Sequence, residues 1–230
     1  MFKLSYWHFA LQLFYLELKR VVHRRVDWIV GWLFFLLVVS IFGISMGGQV
    51  RQLSAVNAVS IIWVGVILSI LLSLDKVFYS DFKQGILDQY LSSPIPLSLL
   101  VLLKITVHWL ATALPLLFLI PLLALCLGLP FYLLPMLLLT VTIGTQILSA
   151  TGCLGTLLIV GLPRAGMLLG VLLLPLYVPT LLLAISTLIG CIQGNTVMGS
   201  MTWLCVLWIF TQLFSPLLGA NILKVCLKNA

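Results

Sequence analysis

Acidic side chains are scarce in this sequence of 230 residues. There are five, and only 7% of all residues are charged. Soluble domains have about 25% charged and about 45–50% apolar residues. Here 63% of the residues are hydrophobic and the mean hydropathy is +1.27. The composition excludes a soluble globular domain and predicts an all-α integral membrane protein, with one polytopic domain over residues 1–230.

Motifs for catalysis, metal binding and nucleotide binding are also missing. The sequence contains no G-x-x-x-x-G-K-[ST] loop and no H-E-x-x-H pair. Its five cysteines form no C-x-x-C motif, and most fall in apolar runs, where cysteine behaves as a small hydrophobe. We therefore expect no intrinsic enzymatic activity, no bound metal and no resident cofactor. The net charge of +7 is not arranged as a basic patch with aromatics, so we expect no nucleic-acid partner.

Long apolar runs dominate what is present. About 20 apolar residues are needed to cross the hydrocarbon core of a bilayer. Six runs meet that length, which predicts six membrane spans, at about 28–46, 55–74, 99–127, 131–160, 166–190 and 200–221.

The basic residues predict an orientation. Assigned to alternating sides of six spans, 11 of the 12 Lys and Arg residues fall on one side and only Arg51 on the other. Lys and Arg are enriched in cytoplasmic loops of membrane proteins. This asymmetry predicts that both termini lie in the cytoplasm.

The region before the first span, residues 1–27, has a helical pattern at 5–25. A polar series and an apolar series each recur every three or four residues. The polar series is His8, Gln12, Tyr15, Lys19 and His23, and the apolar series is Trp7, Leu11, Phe14, Leu18 and Val21. Such amphipathic helices lie in the membrane interface. The alternative is a simple topology anchor.

Residues 75–97, called here the acidic segment, contain three of the five acids. An apolar stripe with a spacing of four predicts a helix that ends near Leu91: Leu74, Phe78, Phe82, Ile86 and Tyr90. The polar residues off this stripe are expected to face water or a protein: Asp81, Lys83, Gln84, Asp88 and Gln89. Gly85 inside a helix costs about 1 kcal/mol relative to alanine, which suggests a close backbone approach there. The segment is either a solvated helix on the bilayer or a cytoplasmic docking helix.

Few polar groups lie inside the predicted spans. Lys104 and His108 are four residues apart in the third span. They are candidates for contact with a substrate or partner, or for a polar contact between helices. Trp109 is predicted to anchor the span at the membrane interface. A second set of small and hydroxyl residues shares one face of the fourth span: Thr145, Ser149, Gly152 and Thr156. Small faces allow close helix packing. Tight packing within one subunit and a contact with substrate or partner at Ser149 and Gly152 both remain open.

Three short patterns carry a resemblance to a known family. They are D-x-x-x-G-x-L at Asp81, Gly85 and Leu87, P-x-P-L at Pro94, Pro96 and Leu97, and H-W at His108 and Trp109. With the surrounding residues, strongest from about 60 to 184, they resemble the haem exporter protein B (CcmB) family of the bacterial cytochrome c maturation system. The general pattern is similar to the membrane subunit of a type-2 ABC exporter.

The resemblance implies an inner-membrane permease that works with a separate, CcmA-like cytoplasmic ATPase. In such exporters the helix between spans two and three docks on the ATPase, which would make the acidic segment a coupling helix. The resemblance also implies a CcmC-like haem-handling subunit, a small accessory subunit, two permease copies in membrane lipid, and haem as cargo or release of a haem-loaded periplasmic chaperone. A permease for another cargo, such as a glycan, lipid or drug, and a membrane scaffold without transport are the alternatives.

Overall fold

The structure is a computed structural model that describes residues 2–23, 25–45, 54–74, 77–87, 96–160 and 165–228. These residues form helices joined by short turns, as the composition predicts. We number the α-helices α1 Phe2–His23, α2 Arg25–Ser45, α3 Ala55–Leu74, α4 Tyr79–Lys83, α5 Leu97–Cys126, α6 Leu134–Ile159, α7 Ala165–Gln193 and α8 Met198–Lys228; a 3-10 turn at Phe131–Leu133 precedes α6.

Within the described residues, five helices are long and apolar enough to cross a membrane. They are Ala55–Leu74, Leu97–Cys126, Phe131–Ile159, Leu168–Gln193 and Met198–Cys226. Each coincides with one of the predicted spans two to six, so the chain is a multi-pass membrane protein.

The predicted first span falls in α2, whose apolar part, Ile29–Ser45, is shorter than the other five. A sixth span, the interfacial position of α1 and the cytoplasmic location of both termini therefore stay predictions.

The third span is one unbroken helix of 30 residues despite Pro115 and Pro121. Prolines are tolerated in membrane helices because neighbouring groups satisfy the carbonyls that they free. The unbroken helix preserves the alternation of sides on which the predicted orientation depends.

Two uncharged turns reverse the chain with the same backbone conformation and hydrogen-bond pattern. In the first, Gly128 has φ +73°, and the amide of Leu129 donates to the carbonyl of Ala124 at 2.9 Å. In the second, Gly194 has φ +68°, and the amide of Asn195 donates to the carbonyl of Gly190 at 2.9 Å. This is the Schellman ending of a helix, which satisfies terminal carbonyls and requires a left-handed residue that glycine supplies most easily. Both turns lie at the end of the bundle opposite to α4.

The centre of the bundle is α6, which packs against α3, α5, α7 and α8. Close packing there depends on small residues, since a Cβ atom at Gly144 would lie 2.3 Å from the ring of the fully buried Trp63. At the edge, α1 packs against α5 and α2 packs against α3 and α5. This arrangement brings α1 and the acidic segment to the same end of α5.

Candidate functional site: a buried charge cluster beneath the acidic segment

The described part of the acidic segment is not the single long helix that its spacing predicts. Helix α4 spans only Tyr79–Lys83, and a turn at Gln84 and Gly85 interrupts it before helical residues resume at 86–87. Gly85 has φ +65°, and its amide donates to the carbonyl of Phe82 at 3.1 Å. An L-residue adopts this left-handed conformation only at a cost, so glycine ends the helix here.

No other part of the described chain makes the close backbone approach predicted at Gly85, and docking of the ATPase at this glycine stays a prediction. A Cβ atom at this position would meet no atom within 4 Å. The glycine is explained by its backbone conformation and not by its neighbours. Its role is to turn the chain after α4.

The apolar stripe of the acidic segment faces the bundle. Leu74 and Phe78 are buried, and Phe82 and Ile86 pack against the core. Tyr90 lies outside the described residues.

The polar residues of the segment divide into two groups. Lys83 and Gln84 are exposed, in agreement with the prediction. Asp81 is not, since only 5% of its surface is accessible. It lies one helical turn after Phe78, and residues three apart share a helix face, so it points into the protein with the stripe. Asp88 and Gln89 lie outside the described residues, and docking by any of these residues stays a prediction.

The partner of Asp81 is Lys104 of α5. The Lys104 ammonium donates to Asp81 Oδ2 and also to Glu17 Oε1 of α1, the latter at 3.2 Å. It lies 5.5 Å from the centre of the Phe78 ring, and only 4% of Lys104 is exposed. Glu17, Asp81 and Lys104 are called the charge cluster below.

The charge cluster extends towards the surface through Arg20. Its guanidinium lies 3.1 Å from Glu17 Oε1, and its side chain is 45% exposed. Cations and carboxylates thus alternate from the protein surface inwards, in the order Arg20, Glu17, Lys104 and Asp81. Breaking a buried ion pair by removing one partner costs about 3–5 kcal/mol, because a buried charge is left uncompensated.

Sequence reasoning did not identify Glu17 as a site residue. The feature that could have identified Glu17 is its position on the apolar side of α1, three residues after Phe14 and four before Val21. A carboxylate on the buried side of a helix requires a partner. The partner could not be identified, because Lys104 is 87 residues away in the sequence.

His108 makes a polar contact between two spans. Its Nε2 atom lies 3.0 Å from Ser73 Oγ of α3, and the Ser73 hydroxyl donates to the carbonyl of Ile70 at 2.7 Å. Which of the two atoms donates is set by the tautomer of His108. Only 6% of His108 is exposed, so a bulky ligand has no access to the ring in this conformation.

The predicted small face of α6 packs inside the chain. A Cβ atom at Gly152 would lie 2.3 Å from Leu74 and 2.6 Å from the hydroxyl of Tyr177. Ser149 is fully buried. Packing within one subunit accounts for this face, and contact of Ser149 or Gly152 with a substrate or partner stays a prediction that requires α3, α6 and α7 to separate.

Indole groups of two neighbouring spans bind α6 at adjacent positions. Trp109 Nε1 donates to Thr145 Oγ1 at 3.0 Å, and Trp208 Nε1 donates to Gln146 Oε1. Trp109 is thus bonded to a neighbouring span, and its role as an interface anchor stays a prediction. In hydrocarbon such bonds between helices contribute about 0.6 kcal/mol each.

Among the residues that the structure describes, no group of three or more His, Cys, Asp or Glu side chains is placed to hold a metal ion. The charge cluster is held together by ion pairs. It connects a partly exposed surface segment to two helices of the bundle.

Comparison with known proteins identifies the family. Residues 8–226 match the family described as CcmB protein. The "Heme exporter protein B" of Pseudomonas aeruginosa is 40% identical over 209 residues, which cover 91% of this chain and 93% of the relative. Those of Paracoccus denitrificans and Escherichia coli K12 are each 38% identical, over 85% and 94% of this chain and 89% and 98% of the relatives. The spans, the acidic segment and the charge cluster all lie in the matched region, and the chain belongs to the CcmB family.

Proposed function

We propose that this chain is the membrane permease subunit of an ABC transporter for cytochrome c biogenesis in the bacterial inner membrane. It would couple ATP hydrolysis by a separate, CcmA-like subunit to haem export or to release of a haem-loaded periplasmic chaperone. The family match over residues 8–226 supports this role, as does the name "Heme exporter protein B" that its relatives carry. The chain itself would have no enzymatic activity.

The two-sided acidic segment is the observation that carries the coupling role. Its inner side is held to the bundle by Phe78, Leu87 and the ion pair of Asp81 with Lys104. Its outer side presents Lys83 and Gln84 to the surroundings. A short rigid element bound on one side and exposed on the other is suited to receive force from a soluble partner. By the distribution of Lys and Arg, this partner would be cytoplasmic.

Haem would be bound mainly by another subunit. His108, the histidine of the third span, is buried and hydrogen-bonded to Ser73, so it is not positioned as a haem ligand. By the family resemblance, a CcmC-like subunit with a small accessory subunit would handle the haem. Two copies of this chain would supply the two permease halves of the transporter.

The test is recovery of the ATPase from detergent-solubilised membranes with a tagged chain. Lys83→Glu combined with Gln84→Glu changes the charge of the exposed side and keeps Glu17, Asp81 and Lys104 in the sequence. The matched control is Lys224→Glu, which reverses an exposed lysine of α8. We expect the native chain and the control to recover the ATPase and the double variant to lose it. Asp81→Lys is unsuitable, because it would place two ammonium groups together in the interior.

Two other functions correspond to distinct outcomes. A permease for another cargo would recover the ATPase, but its deletion would leave cytochrome c content unchanged. A scaffold without transport would support cytochrome c formation even with a partner that cannot hydrolyse ATP. Equal ATPase recovery by the native chain and the double variant would show that the exposed side of the segment is not the docking surface.

A further inference from the structure

The charge cluster joins three parts of the chain that are distant in sequence. Glu17 belongs to α1, Asp81 to α4 and Lys104 to α5. Lys104 is 87 residues from Glu17 and 23 residues from Asp81, yet it contacts both carboxylates. Its ammonium is the group that these contacts share.

The chemistry of the contact requires a cation at this position. Two carboxylates close together repel each other, and the repulsion increases where water is excluded. An ammonium is a compact charge with three donor hydrogens, so it can bind both carboxylates at once. Lys104 therefore holds α1 and α4 to one point on α5.

Helix α5 is well placed to pass on a displacement at that point. It contacts α1, α2, α3, α6 and α8. Four residues after Lys104, one helical turn further into the bundle, His108 is bonded to Ser73 of α3. A displacement of the Lys104 side chain thus acts directly on α5, the helix that contacts most of the bundle.

We propose that Lys104 is the positioning residue through which movement of the acidic segment is transmitted to α1 and α5. The inference rests on the proposed function, since it assumes that an ATPase moves the segment. It assigns the two sides of α4 different tasks. Lys83 and Gln84 meet the partner, whereas Asp81 passes the movement to Lys104.

A purely structural role for the charge cluster makes a different prediction. Replacing a whole buried ionic group by neutral residues of similar volume is often neutral for stability, whereas removing one partner is not. The triple variant Glu17→Gln, Asp81→Asn and Lys104→Met removes all three charges of the cluster together, so we expect it to keep the fold. If the cluster serves only the fold, this variant keeps its function; if the cluster transmits movement, it does not.

The experiment uses the complex purified from membranes, with ATPase recovery, ATP turnover and cytochrome c content as readouts. We expect the neutral triple variant to recover the ATPase and hydrolyse ATP as the native chain does. Cytochrome c content should fall on the order of tenfold, within the 5–150-fold range that is typical of coupling between sites. Lys104→Arg, which keeps the cation, should retain more function than the triple variant, and Lys224→Met should match the native chain.

A distance measurement tests the same link without the ATPase. Spin labels are attached at positions 11 and 84, whose native Leu11 and Gln84 are exposed, in a chain whose five cysteines are replaced. The native cluster should produce a narrow distance distribution and the neutral triple variant a broad one.

The outcomes separate the two proposals. Native cytochrome c content or a native distance distribution in the triple variant would refute the role of Lys104 and leave the permease intact. Loss of ATPase recovery by the triple variant would also refute it, because Lys104 would then shape the docking surface. Failure of the native chain itself to recover an ATPase would instead refute the proposed function.

Discussion

Gly152→Ala tests the packing of three spans at the centre of the bundle. The added Cβ atom would lie 2.3 Å from Leu74 Cδ1 and 2.6 Å from the hydroxyl oxygen of Tyr177. Carbon atoms in contact are about 3.5–4.0 Å apart, so Leu74 and α6 must separate by about 1.2 Å. Leu74 is fully buried, and the Tyr177 hydroxyl is held at 3.0 Å by the carbonyl of Leu148. Neither group can move away without disturbing its own contacts.

We expect this substitution to lower the free energy of unfolding by about 1–3 kcal/mol, the usual cost of overpacking. For a domain of this size that corresponds to roughly 2–4 °C of Tm per kcal/mol. The assay is thermal unfolding of the purified protein in detergent. The matched control is Gly170→Ala, where the added atom meets nothing within 4 Å, and its Tm should equal or exceed that of the native chain.

A double-mutant cycle with Tyr177→Phe tests the contact itself. In the native background this change removes one hydrogen bond between helices, at a cost of about 0.6 kcal/mol. In the Gly152→Ala background it also removes the oxygen that the new methyl group meets, so it should raise the Tm. Residues in contact show such non-additivity, whereas distant ones do not. Equal effects of Tyr177→Phe in both backgrounds, or equal Tm values for the two glycine variants, would refute the packing argument.

Three further predictions concern the candidate site. Lys104→Met should lower the free energy of unfolding by about 3–5 kcal/mol, and neutralising the whole charge cluster should recover most of that loss in the same thermal assay; a loss that persists would show that packing, not charge, is responsible. Gly85→Ala should cost about 1–2 kcal/mol because of the left-handed backbone, and Gly85→Asn, which tolerates that conformation, should cost less; equal losses would contradict the backbone explanation. His108→Phe should cost between about 0.6 and 1.7 kcal/mol, and Ser73→Ala should add nothing to it, since both remove the same contact; additive losses would place the contribution of His108 elsewhere.

Much of the architecture could be predicted from the sequence because the bilayer imposes it. A run of about 20 apolar residues has to form a helix there, since backbone groups find no other partners in hydrocarbon. Spans two to six were predicted on that basis within a few residues. The first span stays a prediction, since only its part Ile29–Ser45 is recorded as apolar helix.

The site was predicted only in part, and the reason lies at Asp81. A spacing of four predicts which residues share a stripe, but Asp81 lies beside Phe82 and three residues after Phe78, at the margin of that stripe. It points into the protein with the stripe, and there it pairs with Lys104. The charge of Asp81 favours an exposed position, whereas its spacing from Phe78 favours a buried one. Only the fold shows that the buried position prevails.

The sequence by itself determined that the chain is a helical membrane protein, where most of its spans lie, and that residues 75–97 differ from every other connection. These properties are local, since they follow from hydropathy, charge and spacing within single segments. The tertiary structure decided that Glu17, Asp81 and Lys104 meet, that Gly152 lies against Leu74 and Tyr177, and that His108 binds Ser73. Such contacts join helices that are far apart in the chain, and they depend on how the helices pack, which no single segment specifies.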